Sequence, residues 1–133
     1  DHTLVRGTLI KGFDYYQALQ EPFAKAAYIM FMISEIHPFL DGNGRIARVM
    51  MNAELVKASQ SRIIIPTVYR DDYLGALRRL TRNDDPKVYI KMMQRAQEFS
   101  ATLNATDIEA LEDQFTKSNA FKEHDEAKLN ILL

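Results

Sequence analysis

The sequence contains no cysteine, so it can form neither a disulfide framework nor a thiolate metal site. It also lacks a long apolar run: the stretch from Ala26 to Ile33 has eight residues, whereas a membrane-spanning helix needs about 20. Charge of one sign is not in excess, because 17 basic residues face 18 acidic ones. No global field attracts the chain to nucleic acid or to an anionic membrane, and we expect neither as a partner.

The 133 residues are 47% hydrophobic, which is enough to form one domain with its own core. There is no internal repeat and no low-complexity tract. We predict one folded core over residues 1–117 and a charged tail or linker over residues 118–133. The chain starts without methionine or a charged-then-apolar leader and ends on an apolar triplet, so we interpret it as part of a longer cytoplasmic polypeptide.

Two regions precede the centre of the sequence. Thr3 to Ile10 is rich in β-branched residues and is interrupted by Gly7, which indicates a short hairpin or an extended edge segment. An ordinary N-terminal strand explains it about as well. A buried helix is then predicted from Pro22, because proline suits a first helical turn. Pro38 ends this helix, since the residue before a proline avoids the helical region.

The remaining pattern predicts further helices and hence an all-α fold. A second helix spans about 44–57, with a core face and a separate polar face. The predicted core face is Ile46, Val49, Met50 and Ala53, and the polar face is Arg45, Arg48 and Asn52. Residues 62–67 are predicted to form a short buried segment that is strand-like or extended. Three amphipathic helices follow, beginning at Asp71, at Asp85-Pro86 and at a capping box formed by Thr106 and Glu109.

The stretch from His37 to Arg48 carries the chemistry. Gly42, Asn43 and Gly44 open directly into a helix, whose first N–H groups and positive dipole end favour an anion. Arg45 and Arg48 lie one turn apart and can each fork onto phosphate oxygens. The stretch therefore predicts a polyphosphate site.

Asp41 and His37 complete this prediction. Asp41 is the one carboxylate in the stretch, and Mg²⁺ commonly binds through one or two carboxylates plus the phosphates. An imidazole exchanges a proton near neutral pH, so His37 can accept one from an incoming hydroxyl. The stretch has no cysteine or serine, which favours direct transfer over a covalent intermediate. Taken singly, each feature is more often structural; their order within twelve residues favours function.

The stretch resembles the Fic motif, His-Pro-Phe-x-Asp/Glu-Gly-Asn-Gly-Arg-x-x-Arg, at every specified position. The resemblance implies a compact, all-helical Fic-type bundle with a short β-hairpin flap near the N-terminus. It implies transfer of AMP from ATP to a Ser, Thr or Tyr hydroxyl of a target protein. The implied roles are His37 as general base, Asp41 as Mg²⁺ ligand, Gly42, Asn43 and Gly44 as anion hole, and Arg45 and Arg48 on the distal phosphates.

The resemblance implies three further points. Phe39 would be a core anchor for the loop, and Gly44 favours AMP transfer because kinases of the Doc type carry lysine there. Thr3 to Ile10 is the candidate flap that would add a target segment as a strand. The family's inhibitory motif, Ser/Thr-x-x-x-Glu-Gly/Asn, does not occur in the sequence, so any inhibitory segment is expected outside this chain.

Two alternatives remain open at this stage. The chain could be a regulatory module that binds a nucleotide or a partner without turnover. It could also be an enzyme with a different nucleotide donor, because the motif recognises phosphates far better than bases.

Overall fold

The computed structural model describes residues 4–103, 107–122, 128, 129 and 131, and across these residues the regular elements are helical. The α-helices are α1 (Val5–Ala18), α2 (Pro22–Ile36), α3 (Asn43–Lys57), α4 (Arg70–Asn83), α5 (Lys87–Ala101) and α6 (Ile108–Lys117), with a 3₁₀ turn at Thr67–Tyr69. The predicted all-α class is confirmed. None of the helices in the described part of the chain has the length and apolarity needed to cross a bilayer.

The chain divides into two compact units, Asp1–Gln60 and Ser61–Leu133. The first unit contains α1, α2 and α3, and the second contains α4, α5 and α6. The predicted division into a core over 1–117 and a tail over 118–133 stays a prediction.

The predicted β-hairpin flap is wrong for the described part of its segment, because α1 begins at Val5 and continues to Ala18. The helical alternative was present in the sequence: the less exposed residues of this region recur three and four positions apart. They are Val5, Leu9, Gly12, Phe13 and Tyr16. The Thr8 hydroxyl donates to the Leu4 carbonyl at 2.8 Å, which is the i−4 bond that a threonine forms within a helix. Packing on α2 therefore outweighs the local β propensity.

Helix α2 starts and ends as its sequence predicts. Pro22 occupies the first turn, and the Glu21 side chain accepts from the Ala24 N–H at 2.7 Å. The last residue, Ile36, is followed by a left-handed residue and then by Pro38. The helix is buried over much of its circumference by its contacts with α1 and α3. The buried residues are Ala26, Ala27, Ile29, Met30, Met32 and Ile33.

Helix α3 forms as predicted, but its predicted core face is wrong. The buried side carries Asn43, Ala47, Met51 and Leu55, while Val49 is 68% exposed. Apolar residues occur on several sides of this helix, so the helical period alone admits more than one buried face. Contact with α2 selects the row spaced by four residues. Because this row excludes Arg45 and Arg48, both arginines remain exposed.

In the second unit, Val68, Phe99, Ala120 and Leu129 form a buried cluster with partly buried aromatic neighbours. Residues 61–66 form no regular secondary structure, and Ile63 is buried. Asp71 lies inside the first turn of α4, whose N-cap is Tyr69. The predicted cap Thr106 lies outside the described residues; the observed N-cap of α6 is Asp107, whose carboxylate accepts from two backbone N–H groups.

Candidate active site

The predicted site residues lie together in the first unit. His37, Asp41, Gly42, Asn43, Gly44, Arg45 and Arg48 line one cavity of about 310 Å³, together with Leu40. The loop after α2 and the first turns of α3 supply all of them. A cavity of this size is at the lower end of the range for small-molecule sites, and its lining is mainly polar.

His37 is positioned by the end of α2. It is the C-cap in the left-handed conformation, with φ 54° and ψ 56°, and its N–H donates to the Ile33 carbonyl at 3.1 Å. Its ring Nδ1 lies 3.0 Å from the Ser34 carbonyl oxygen. A carbonyl can only accept, so Nδ1 carries the proton and the neutral ring presents Nε2 as its acceptor. The Ser34 carbonyl therefore orients the imidazole ring and selects its tautomer.

Gly42 and the start of α3 form the predicted anion site. Gly42 is the N-cap with φ 77°, a conformation that L side chains rarely adopt. Gly42 has no side chain that could cap α3, and the first intrahelical bond runs from the Ile46 N–H to the Gly42 carbonyl at 3.0 Å. The N–H groups of residues 43–45 therefore precede the helical ladder and point out of the helix start. The Gly42 N–H itself donates to Asp41 Oδ1 at 2.8 Å.

Asn43 differs from Gly42 in both conformation and environment. It is the first helical residue and is only 5% exposed. Its Oδ1 accepts from the Phe39 N–H at 3.0 Å, and its Nδ2 donates to the Phe39 carbonyl at 2.8 Å. The Phe39 side chain is 50% exposed, so the interpretation of Phe39 as a core anchor is wrong. The side chain of Asn43, rather than that of Phe39, holds this loop.

The two arginines and Gly44 lie on the exposed side of α3. Arg45 and Arg48 are exposed and line the cavity. A Cβ at Gly44 would lie 3.4 Å from Arg48 Nη1. Gly44 has no unusual φ, so its value at this position is the space it leaves beside the guanidinium group.

Asp41 is the single carboxylate that lines the cavity. Among the described residues no group of three or more His, Asp or Glu side chains is arranged to hold a metal ion. Mg²⁺ often binds with one or two protein carboxylates plus substrate phosphates. A lone carboxylate beside a helix start therefore fits Mg²⁺ that arrives with a polyphosphate.

Sequence reasoning missed two contributors to this cavity. Leu40 is fully exposed and is the apolar side chain of the lining. Ser34 contributes its backbone carbonyl, so the identity of its side chain gave no indication of this role. Its position three residues before a helix-ending histidine was the available signal.

A tie between α1 and α3 supports the unit that carries the cavity. The Tyr16 hydroxyl donates to Glu54 Oε1, and Lys57 Nζ lies 3.8 Å from Glu54 Oε2. Burial, followed by the hydrogen bond to Glu54 and its charge, raises the pKa of Tyr16 to about 12. Lys25 Nζ lies 4.9 Å from the centroid of the Tyr16 ring.

Comparison with known proteins agrees with the motif. Residues 4–55 match the model of the Fic/DOC family. This region contains the α2–loop–α3 arrangement and the whole cavity lining. Residues 4–55 are thus similar to the Fic/DOC family.

Curated relatives carry the name "Protein adenylyltransferase Fic". The protein from Drosophila persimilis is 36% identical over 72 residues, covering 54% of this chain and 14% of its own length. The protein from Drosophila willistoni is 33% identical over 78 residues, covering 59% and 16%. The protein from Drosophila grimshawi is 35% identical over 72 residues, covering 54% and 15%. The chain thus spans about one seventh of the length of these relatives.

Proposed function

We propose that the chain carries the catalytic site of a protein adenylyltransferase, which transfers AMP from ATP to a Ser, Thr or Tyr hydroxyl of a target protein. The observation that carries the proposal is a single cavity that combines an oriented imidazole, a helix start without a side-chain cap and two exposed arginines. The relatives named as adenylyltransferases support the same reaction.

His37 acts as the general base. Nδ1 holds its proton against the Ser34 carbonyl, so Nε2 takes the proton of the target hydroxyl. The hydroxyl oxygen then forms a bond to the α-phosphorus of ATP, and the bond from that phosphorus to the bridging oxygen breaks. The electron pair leaves with pyrophosphate, and AMP remains on the target.

The start of α3 and the two arginines bind the phosphates. The N–H groups at the helix start and the positive end of its dipole stabilise charge on the phosphate oxygens. Arg45 and Arg48 supply charge-assisted hydrogen bonds to the distal phosphates, which become the leaving pyrophosphate. Asp41 would hold Mg²⁺ together with these phosphates, and the ion would supply further neutralisation of their charge.

The absence of a side chain at Gly44 supports AMP transfer over phosphate transfer. A lysine at this position, as in Doc-type kinases, would start 3.4 Å from Arg48 Nη1 and place a second cation beside it. Without it, the polyphosphate can lie with its distal end on the arginines and its α-phosphate towards His37.

The experiment compares transfer from ATP labelled at the α-phosphate with transfer from ATP labelled at the γ-phosphate. Self-modification of the chain, read as label incorporation and as the added mass of AMP, serves as the assay when no target is supplied. We expect incorporation of the α label only. His37→Ala should lower the rate by roughly 10²–10⁴-fold, because it removes the base, while Mg·ATP affinity stays near that of the wild type.

The matched control is Gln17→Ala, which removes an exposed polar side chain from α1 without touching the cavity. It should label at the wild-type rate. Incorporation of the γ label would contradict AMP transfer and would indicate phosphorylation instead. Tight ATP binding without incorporation of either label would instead favour the binding module, and equal competition by GTP, CTP and UTP would contradict ATP as the specific donor.

A further inference from the structure

The loop between the base and the helix start is closed by one side chain. From the first turn of α3, Asn43 reaches back four residues and makes two hydrogen bonds to the backbone of Phe39. Both groups of its amide are engaged, the acceptor at 3.0 Å and the donor at 2.8 Å. The residue is 5% exposed, so water does not compete freely for these bonds.

The orientation of this amide follows from its partners. A backbone N–H can only donate and a carbonyl can only accept, so Oδ1 must face the Phe39 N–H and Nδ2 must face the Phe39 carbonyl. In the opposite orientation Nδ2 would face the Phe39 N–H, donor against donor, and Oδ1 would face the Phe39 carbonyl, acceptor against acceptor. Asparagine therefore satisfies both groups of Phe39, which neither aspartate nor alanine at this position can do.

We propose that Asn43 is a positioning residue, whose side chain holds the loop from His37 to Gly42 at a set length and thereby sets the distance between the base and the bound phosphate. The inference rests on the proposed function for its catalytic consequence. It assigns the side chain of Asn43 to the loop, whereas the resemblance only implied that Asn43 belongs to the anion hole. The backbone N–H of Asn43 remains available to the anion at the helix start.

The geometry explains why the two roles exclude each other. Turning the Asn43 amide towards a phosphate would break both bonds to Phe39 and leave two backbone groups of a tight loop without partners. His37 is two residues before Phe39 and Asp41 is two residues after it, so a loosened Phe39 would move both. A displacement of about 1 Å at reacting groups can lower a rate roughly 10²-fold.

The test measures the hydrogen exchange of the Phe39 amide by NMR in the protein without nucleotide, alongside kcat and the dissociation constant for Mg·ATP. Asn43→Ala should accelerate exchange of the Phe39 amide about tenfold, the value of one such bond. It should lower kcat roughly 10²-fold. The dissociation constant for Mg·ATP should stay within about twofold, because the variant keeps every group that binds the phosphates. Asn43→Asp keeps an acceptor for the Phe39 N–H, so its Phe39 amide should exchange near the wild-type rate.

Asn83→Ala serves as the matched control, because it removes an exposed asparagine from the end of α4. It should change none of the three quantities. Far-ultraviolet circular dichroism verifies that each variant is folded, and the Asn43→Asp exchange rate keeps the test decisive if Asn43→Ala unfolds.

Two results would overturn the inference. One is unchanged exchange of the Phe39 amide in folded Asn43→Ala together with weaker binding of Mg·ATP, which would place the amide on the phosphate. The other is fast hydrogen exchange of the Phe39 amide in Asn43→Asp. Absence of transfer in the wild type would contradict the proposed function instead, and fast exchange in Asn43→Ala alone would then still support the loop contact.

Discussion

Replacing Tyr16 with phenylalanine tests the tie between α1 and α3. The change removes one hydroxyl and keeps the ring, so the ring contact with Phe13 and the approach of Lys25 to its face are retained. It removes the donor to Glu54 Oε1. The expected loss of stability is therefore that of one hydrogen bond to a carboxylate.

The magnitude follows from the surroundings of the two groups. A hydrogen bond to a charged group contributes about 1.5–3 kcal/mol to the free energy of unfolding. Tyr16 is only partly buried, so solvent screening favours the lower end. The Glu54 side chain is 15% exposed, and the substitution does not remove its salt bridge to Lys57 at 3.8 Å. The carboxylate therefore keeps a charged partner, and we expect no larger loss of stability. We expect Tyr16→Phe to lower the free energy of unfolding by about 1.5 kcal/mol.

Urea unfolding followed by circular dichroism measures this loss. With a slope near 2 kcal/mol per molar, the midpoint should fall by roughly 0.7 M. Tyr15→Phe is the matched control, because it removes the hydroxyl of a neighbouring tyrosine that is exposed. Its midpoint should equal that of the wild type. Equal midpoints for all three proteins, at an unchanged slope, would refute the tie.

The difference in stability between the wild type and Tyr16→Phe should depend on pH. The pKa of Tyr16 is raised from 10.0 to about 12 in the folded state, so folding favours the neutral hydroxyl. This contribution is fully present below pH 10 and is lost as the pH rises towards 12. Burial also raises the pKa values of Tyr28, Tyr69 and Tyr89, but both proteins share those groups. The stability difference between wild type and Tyr16→Phe should therefore shrink above pH 10, and a constant difference up to pH 12 would contradict the raised pKa.

Two further substitutions test the phosphate clamp and the start of the chain. Arg48→Ala should weaken Mg·ATP binding at least about tenfold by calorimetry, the value of one charge-assisted hydrogen bond, whereas the exposed Arg78→Ala should not; equal affinities would remove Arg48 from the site. Gly7→Ala should raise the free energy of unfolding by about 0.5–1 kcal/mol, because in the helix its Cβ would meet no atom of the described residues within 4 Å. Gly12→Ala should be less stable than Gly7→Ala by about 1–3 kcal/mol, because its Cβ would lie 2.4 Å from Met32 Sδ; the opposite order in thermal unfolding would argue that α1 is not helical.

Local signals predicted much of α2 and of the loop that follows. Pro22 lies in the first turn of α2, and Pro38 follows its last turn. Both prolines restrict the backbone directly, so they mark the ends of the helix whatever the rest of the fold. The requirement for a left-handed glycine at Gly42 is equally local. The residues of the cavity could be predicted for the same reason, because one short loop and one helix start supply them.

Features that depend on packing between helices were predicted less well. The β-branched residues of α1 suggested a strand, whereas the less exposed residues of this segment recur at helical spacing and α1 packs on α2. The apolar residues of α3 allowed several buried faces, and contact with α2 selected the row through Ala47 and Met51. Propensity and period constrain a segment by itself, whereas burial is a property of two surfaces.

The sequence by itself determined the chemical inventory of this protein: an imidazole, a carboxylate, a glycine turn and two guanidinium groups, in an order set by local backbone rules. Only the tertiary structure decided how these groups are used. It directs His37 Nδ1 to the Ser34 carbonyl and the Asn43 amide to Phe39. Hydrogen bonds need particular distances and directions, and these exist only after the loop has closed between two packed helices.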